Sequence, residues 1–228
     1  MKKPYANEKP AHQVTLTKNY YIGQTPVTQA LWKAVMGKRE CKKAPSFWQK
    51  LIGEEGESYY VENNPSYFDG DNMPVENVSW DDCQEFISKL NAATGKHFRL
   101  PTEAEWEFAA RGGNNSKHYQ YSGSNKIGDV GWYCNNSEGE THDVATKEPN
   151  ELGVYDMSGN VWEWCNDLFG GYISVSQTNP TGHLSGTYRV RRGGSWNDFA
   201  GRCRSSCRFS GSPDDCDDRI GLRLALSE

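Results

Sequence analysis

Apolar and polar side chains alternate along residues 12–23, in the stretch HQVTLTKNYYIG, and many of them are β-branched or aromatic. This period of two predicts a strand. The period then changes to that of a helix for about eight residues after Thr28, which has the side chain of an N-cap, and Gly37 is its expected end. The apolar stripe of this predicted helix consists of Leu31, Trp32 and Val35.

Two more helices are predicted in the first half of the chain. In SWDDCQEFISKLNAATG, Ser79 is a suitable N-cap, two aspartates follow in the first turn, and Gly95 is the expected end. In RLPTEAEWEFAARGG, Thr102 and Glu105 have the spacing of a capping box, which predicts a third, short helix.

The third predicted helix carries a group of acids that allows two interpretations. They could form a catalytic carboxylate cluster, or they could cap the helix and complement its dipole, which is the usual role of acids in a first turn. We favour the second interpretation. The residues concerned are Glu103, Glu105 and Glu107.

The second half of the chain has turn signals every few residues and only short candidate strands, such as VWEWC and TYRVRRGGSW. Residues 38–62 are polar and mixed, with a short amphipathic piece around SFWQKLIG, and are interpreted as an insertion. A few helices followed by an irregular β-rich half indicate an α+β fold. Since no repeat or linker divides the sequence, we expect a single domain over residues 1–228.

Composition narrows the classes of function. The 228 residues carry a formal net charge of −5, which argues against a general nucleic-acid-binding protein. No apolar run approaches the roughly 18 residues of a membrane span, and the first ten residues lack the apolar core of a signal peptide. The seven cysteines include no C-x-x-C pair, so a structural zinc site is not expected. Cys83 and Cys165 lie in apolar patterns and are predicted to be buried.

Seven motifs occur in the order that is typical of one known family. The chain resembles the formylglycine-generating-enzyme and sulfatase-modifying-factor family over about residues 9–226, with the insertion as the interruption. The resemblance implies a C-type-lectin-like fold, with few helices around small twisted antiparallel sheets and much irregular structure. The family's usual opening strand is not found before residue 7, so we expect it to be missing from the first sheet. The motifs are YYIGQTPVTQALWKAVMG, NPSYF, PVENVSWDDCQEF, FRLPTEAEWEFAARGG, LGVYDMSGNVWEW, RVRRGGSW and IGLRLA.

The resemblance also implies a structural calcium ion in the motif YDMSGNVWEW. The matching positions would supply the carboxylates of Asp156 and Glu163 and the backbone carbonyls of Gly159 and Val161. Oxygen ligands of this kind suit a hard cation. The alternative is that Asp156 caps a turn and Glu163 forms an ordinary ion pair.

The oxidases of this family bind copper through two cysteines in the segment that follows Gly-Gly-Ser. Counted from Gly193, the first of these positions is Asp198 and the second is Cys203. A carboxylate is a poor substitute for the soft thiolate that Cu(I) selects. We therefore expect no copper and no oxidase activity. The alternative, a copper-dependent oxidase, would require Cys207 or Cys216 to compensate, and neither has the right spacing from Cys203.

The last fifty residues have an unusual composition. From Thr178 to Ser227 there is no Lys, Glu, Gln or Met, although these types are common earlier. The frequent types here, Asp, Ser, Gly, Cys, Phe and Arg, are among those reached from an AAY asparagine codon when its adenines are replaced, whereas Lys, Glu, Gln, Met and Trp are not. This pattern resembles the C-terminal cassette of variable proteins that diversity-generating retroelements mutate at adenines.

This second resemblance divides the segment at about residues 197–219 into framework and variable positions. The expected framework is Ala200, Cys203, Arg204, Ser205, Arg208, Pro213, Ile220 and Gly221. The expected variable, ligand-binding positions are Asp198, Phe199, Gly201, Arg202, Cys207, Phe209, Ser210, Gly211, Ser212, Asp215, Cys216, Asp217, Asp218 and Arg219.

The resemblance to variable proteins implies a function in binding. We expect a non-catalytic lipoprotein that is displayed at the cell surface and binds a variable protein ligand. The lipid anchor and the signal sequence would lie outside this chain, which is expected to be a monomer that does not bind nucleic acid. The variable side chains should point outward from a backbone that other residues hold in place.

Overall fold

The computed structural model describes residues 5–42 and 58–228. Its α-helices in these ranges are α1 (Gln29–Met36), α2 (Trp80–Thr94), α3 (Glu103–Ala110) and α4 (Ile127–Val130). Short 3-10 turns occur at Ala6–Glu8 and Gly113–Asn115. Among the described residues, no helix has the length and apolar character needed to cross a bilayer.

The helix boundaries agree with the capping signals. The side chains of Thr28, Ser79 and Thr102 each accept a hydrogen bond from a backbone N–H in the first turn of α1, α2 and α3, respectively. Gly37 and Gly95 end α1 and α2 with φ angles of 68° and 67°, a conformation that costs glycine little. The three helices predicted from the sequence are therefore confirmed.

The strands are short. They are β1 (Val14–Thr15), β2 (Tyr20–Ile22), β3 (Lys38–Lys42), β4 (Ser58–Glu62), β5 (Phe98–Arg99), β6 (Trp162–Leu168), β7 (Gln177–Thr178), β8 (Arg189–Arg192), β9 (Arg208–Gly211), β10 (Ile220–Leu222) and β11 (Ala225–Ser227). The continuous strand predicted over residues 12–23 was wrong in extent, because the chain bends between β1 and β2.

The strands form four small sheets. The largest has the order β10-β6-β8-β9, and a three-stranded sheet has the order β2-β11-β5. Most strand pairs are antiparallel, as expected, but β10 pairs with β6 in parallel and β1 pairs with β7 in parallel. Both parallel pairs join segments far apart in the sequence, because parallel strands need a long crossover connection.

The predicted insertion at 38–62 begins and ends in an antiparallel pair. Strand β3 pairs with β4 in a register that joins Lys38 to Glu62 and Lys42 to Ser58. The amphipathic piece around SFWQKLIG lies outside the described residues.

The main core lies between two helices and the largest sheet. Trp32 of α1 stacks on Phe86 of α2, with 4.9 Å between the ring centroids, and both rings belong to the buried cluster that includes Trp164 of β6. Cys83 and Cys165 are fully buried, as predicted. A second cluster forms around Trp106 of α3, so α3 packs against the same sheet that holds the C-terminal segment. Because α3 packs against this sheet, the helix lies next to the C-terminal segment that contains the candidate site.

Candidate functional site

The C-terminal segment is framed by strands β8 and β10 and by a glycine pair. Gly193 and Gly194 have φ angles of 101° and 75°, which disfavour any other residue. A Cβ atom on Gly194 would lie 2.7 Å from the Sγ atom of Cys203, a separation that real side chains do not tolerate. The Gly-Gly-Ser-Trp motif is therefore required by the tight approach of the chain to its own continuation.

Buried arginines fix strands β8 and β9 to the rest of the protein. The guanidinium of Arg192 in β8 lies 2.8 Å from an oxygen of Glu103 and 2.6 Å from one of Glu107. Arg208 in β9 donates from Nε to the same Glu103 carboxylate at 2.8 Å. Arg208 also stacks over the ring of Tyr172 at 3.9 Å. Because α3 supplies the carboxylates of both Glu103 and Glu107, this helix anchors β8 and β9.

Two further ion pairs extend this anchoring. Arg204 donates to the carboxylate of Glu8 at 2.8 Å and thereby attaches the N-terminal 3-10 turn to the segment. Arg223, which follows β10, donates to both oxygens of Glu163 at 2.7–3.1 Å, and both side chains are completely buried. Glu103 and Glu107 thus have a larger role than the helix-dipole role that we favoured, since each compensates a buried cation.

Six of the eight expected framework residues are buried, and the other two, Ala200 and Pro213, are half-buried. The expected variable positions differ from them. Ten of the fourteen are exposed or half-buried, and these are Phe199, Arg202, Phe209, Ser210, Ser212, Asp215, Cys216, Asp217, Asp218 and Arg219. We refer to these ten residues as the variable face.

The remaining four expected variable residues are buried, so the expectation that every one of them points into solvent was wrong. Asp198 and Cys207 are 3% and 2% exposed. The carbonyl of Gly201 accepts a hydrogen bond from Nε of Arg204, and Gly201 is covered as a result. A Cβ atom on Gly211 would lie 2.8 Å from the ring of Trp164, so that position has no room for a side chain as placed.

The variable face is aromatic and charged. Phe199 is 73% exposed, and Phe209 lies against the Trp162 ring with 5.7 Å between centroids. The guanidinium of Arg202 lies 5.6 Å from the centroid of Phe209. A groove of about 1840 Å³ is lined by residues such as His12 and Leu184, and by none of the variable-face residues. The face therefore offers a broad surface, which suits a macromolecular partner.

Asp198 is held at the first copper position of the family by three donors. Nε1 of Trp162 and Oγ of Ser195 each donate to its Oδ2 at 2.7 Å, and Nη1 of Arg202 donates to its Oδ1 at 2.9 Å. These three hydrogen bonds use both oxygens of the carboxylate and hold it within the structure. It is not a soft ligand.

The thiols next to Asp198 are poorly prepared for Cu(I). Burial raises the pKa of Cys203 well above its usual value, and the nearby Asp198 carboxylate adds to the rise. Burial also raises the pKa of Cys207 to about 11. Since the thiolate is the metal ligand, both residues are protonated and weakly coordinating at neutral pH. The six cysteines that the structure describes with their side chains are all free thiols.

Of the four residues that the resemblance assigned to calcium, Glu163 is engaged by Arg223, whereas Oδ1 of the buried Asp156 accepts no hydrogen bond from the described residues. Both oxygens of Glu163 accept hydrogen bonds from Arg223, and one also accepts from Nε1 of Trp106 at 2.6 Å. Oδ2 of Asp156 accepts from the backbone of Ala145, and burial raises the pKa of Asp156 to about 6.

The two backbone positions of the expected calcium site serve the frame. Gly159 has a φ angle of 97° and donates its N–H to the carbonyl of Gly193, and Val161 is fully buried. Among the described residues, no group of three or more His, Cys, Asp or Glu side chains is arranged to hold a metal ion. As placed, the site holds the buried Glu163–Arg223 ion pair beside a turn at Asp156, and the calcium ion stays a prediction.

The model of the sulfatase-modifying factor enzyme 1-like domain matches residues 1–228. The chain belongs to this family. Among its curated relatives, the formylglycine-generating enzyme of Streptomyces coelicolor is 38% identical over 172 residues, which cover 68% of this chain and 52% of the enzyme. The chaperone protein LppX of Paenibacillus barcinonensis is 31% identical over 235 residues, which cover 80% of this chain and 71% of that protein.

A solved structure supports the family assignment and the fold. Treponema denticola variable protein 1 superposes with a TM-score of 0.80 at 32% identity and covers 95% of this chain and 87% of its own. The predicted α+β, C-type-lectin-like fold class and the resemblance to variable proteins are thereby confirmed.

Residues that the sequence interpretation missed lie on either side of the variable face. Glu8 and Glu103 anchor the framework arginines Arg204 and Arg208, and Tyr67 and Phe68 continue the aromatic contacts of Trp196. One signal was available in the sequence: arginines alternate with apolar residues in YRVRRGG and GLRLA, which is unusual for strands that end in a core.

Proposed function

We propose that this protein is a non-catalytic ligand-binding protein in which residues 197–219 form a variable binding face. A face that changes from copy to copy needs a backbone that does not depend on the changing side chains. The buried pairs of Arg192 and Arg208 with Glu103 and the Gly193–Gly194 turn provide such a backbone. The similarity to Treponema denticola variable protein 1 supports the same function.

The observation that carries this proposal is the environment of Asp198. A fully hydrogen-bonded carboxylate occupies the first position of the family's copper pair, while the thiol of Cys203 is buried and protonated. The two-thiolate site that Cu(I) chemistry needs is absent from this pair of positions. We infer that the chain binds no copper and performs no oxidation.

The chemistry of the face also supports a class of ligand. Exposed phenylalanines beside arginines form the hot spots of protein interfaces, and the face lacks the basic charge that nucleic acid requires. We therefore propose a protein ligand, display at the cell surface through a lipid anchor, and a monomeric chain. Residues that must meet a changing set of partners are best placed on such an exposed surface.

Two experiments test this function. The genome around the coding sequence should contain an adenine-rich near-copy of codons 197–219 and a reverse transcriptase gene, and a genome without such a template would overturn the variable-protein proposal. Second, titration with Cu(I) in the presence of a competing chelator should give no protein complex, and a cysteine-containing peptide should stay unoxidised.

One specific observation favours the alternative, a copper-dependent oxidase. Cys203 occupies the second copper position, and a relative at 38% identity is a formylglycine-generating enzyme. If Asp198 were the only obstacle, the Asp198→Cys variant would bind one Cu(I) and oxidise the peptide thiol. Oxidation by the unchanged protein would establish the alternative directly.

A further inference from the structure

A loop outside the variable segment presents an exposed aromatic ring beside the variable face. Tyr67, in the loop of residues 65–68, is 75% exposed, and its ring contacts Phe68 edge-on with 5.1 Å between centroids. A single exposed tyrosine is common on protein surfaces and needs no explanation by itself. The residues around Tyr67 distinguish it from such a tyrosine.

A continuous chain of contacts joins Tyr67 to the variable face. Phe68 meets Trp196 edge-on with 5.4 Å between the ring centroids. Nε1 of Trp196 then donates to the backbone carbonyl of Asp218 at 2.9 Å. Tyr67 is therefore two rings and one hydrogen bond away from the Asp217–Arg219 end of the face.

The loop is held rigidly by the residues behind it. The N–H of Phe68 donates to Oε1 of the buried Glu76 at 2.9 Å, and the N–H of Glu76 donates to Oγ of Ser66 at 3.2 Å. These bonds fix the backbone on both sides of Tyr67. A ring on a fixed backbone loses little conformational entropy when it binds a partner.

Asn77 connects this loop directly to the variable segment. Its side-chain Nδ2 donates to the carbonyl of Pro65 at 3.0 Å, and its backbone N–H donates to the carbonyl of Asp217 at 2.9 Å. Both acceptors are backbone atoms. The attachment therefore persists when the side chain at position 217 changes.

We propose that Tyr67 is a constant contact residue of the ligand-binding face and engages the protein ligand whatever side chains the variable positions carry. This inference rests on the proposed function. Adenine replacement can turn an aromatic variable position such as Phe199 into a small or polar one, so the aromatic area of the changing positions differs from variant to variant. A fixed tyrosine beside them supplies a contact that every variant retains, and tyrosine is a frequent hot-spot residue.

The test uses the full chain displayed on yeast, with a library randomised at Phe199, Arg202, Phe209, Asp215 and Arg219 and selected for binding to lysozyme. In at least five independent lysozyme binders, Tyr67→Ala should raise the Kd by about 10-fold or more, whereas Tyr67→Phe should keep most of the affinity. Tyr21→Ala is the matched control, because Tyr21 is 62% exposed and lines the groove away from the face.

The outcomes separate the inference from the proposed function. If lysozyme binders are obtained and Tyr67→Ala changes their Kd no more than Tyr21→Ala does, the role of Tyr67 is overturned and the variable face stands. If the library yields no binder although its members are folded by circular dichroism, the proposed function fails and takes the inference with it. Loss of affinity confined to Tyr67→Ala supports both.

Discussion

The arginines of the C-terminal segment occupy two opposite environments. Arg192, Arg208 and Arg223 are buried and paired with glutamates from distant parts of the chain. Arg202 and Arg219 stand on the variable face and contact aspartates only two to four residues away. The same residue type therefore holds the segment in place at one set of positions and is available to a ligand at the other.

This difference meets a requirement of the proposed function, because one short segment must be both fixed and open to substitution. Removing one partner of a buried ion pair leaves an uncompensated charge in a poorly solvated site, which costs several kcal/mol. An exposed pair is worth about 0–1 kcal/mol, because water screens it and the side chains lose entropy in forming it. Tolerance of substitution should therefore follow burial of the arginine and not its position in the sequence.

The largest effect is expected for Arg223→Met. The buried Glu163 would lose its arginine partner and three hydrogen bonds, so the free energy of unfolding should fall by about 3–5 kcal/mol. Urea denaturation followed by tryptophan fluorescence measures this change. Arg219→Met is the control and should cost less than about 1 kcal/mol, because Arg219 and its partner Asp217 are both partly exposed. Equal losses in the two variants would refute the distinction between buried and exposed arginines.

A smaller effect is expected at Asp198, which lies under the face but is buried. Asp198→Ala would leave the indole N–H of Trp162 and the hydroxyl of Ser195 without their acceptor, at a cost of about 2 kcal/mol in unfolding free energy. Phe199→Ala, one residue along, should stay within about 0.5 kcal/mol, because that ring is exposed. If Asp198→Ala leaves the free energy of unfolding unchanged, position 198 tolerates substitution as well as the variable face does.

Glu76 tests what happens to a buried glutamate that has no arginine partner among the described residues. Burial raises its pKa from about 4.5 to about 7, and Asp217 and Asp218 contribute to the rise. The folded state therefore holds a proton that the unfolded state releases, and this contribution is lost as the pH rises from about 4.5 to 7. Glu76→Gln should make the pH dependence of stability shallower by about 1–2 kcal/mol over this range.

Urea denaturation of both proteins at several pH values between 4.5 and 7.5 measures that difference. Asp156 and Asp167, whose pKa values are raised to about 6 and about 7, act in the same direction in both proteins and leave a residual slope. Parallel curves for the two proteins would mean that Glu76 does not titrate in this range.

The smallest effect is expected for calcium. Because Arg223 occupies the Glu163 carboxylate, addition of millimolar CaCl2 after treatment with EDTA should change the Tm by less than about 1 °C, as should MgCl2, the control for ionic strength. A rise of several degrees with calcium alone would restore the metal site that the family resemblance implied and would require Arg223 to release Glu163.

The helices could be predicted from the sequence because their signals are local. Thr28, Ser79 and Thr102 each lie within three residues of the N–H groups that they cap. The anchoring of the variable segment could not be predicted in this way. Arg208 and Glu103 are 105 residues apart, and nothing in either neighbourhood specifies the other.

The errors at the candidate site have a related cause. Asp198 is of a residue type that usually lies at surfaces, and glycines such as Gly201 and Gly211 have no apolar side chain to indicate burial, but the tertiary structure covers all three. Trp162 and Trp164 approach Asp198 and Gly211 from β6, whereas Gly201 is bonded by its near neighbour Arg204. The family motifs located the segment, whereas only the packed structure distinguishes its covered positions from its open ones.

Strand β9 lies at the edge of the four-stranded sheet, next to β8, and it carries Phe209, Ser210 and Gly211. An edge strand exposes unpaired backbone groups that can join the sheet of another molecule. Under the proposed function, each new sequence at Phe209 and Ser210 therefore also changes the tendency of the protein to self-associate. Variants that place β-branched or aromatic residues at both positions should be lost to self-association before any ligand has selected among them, which would make the usable repertoire narrower than the codons allow.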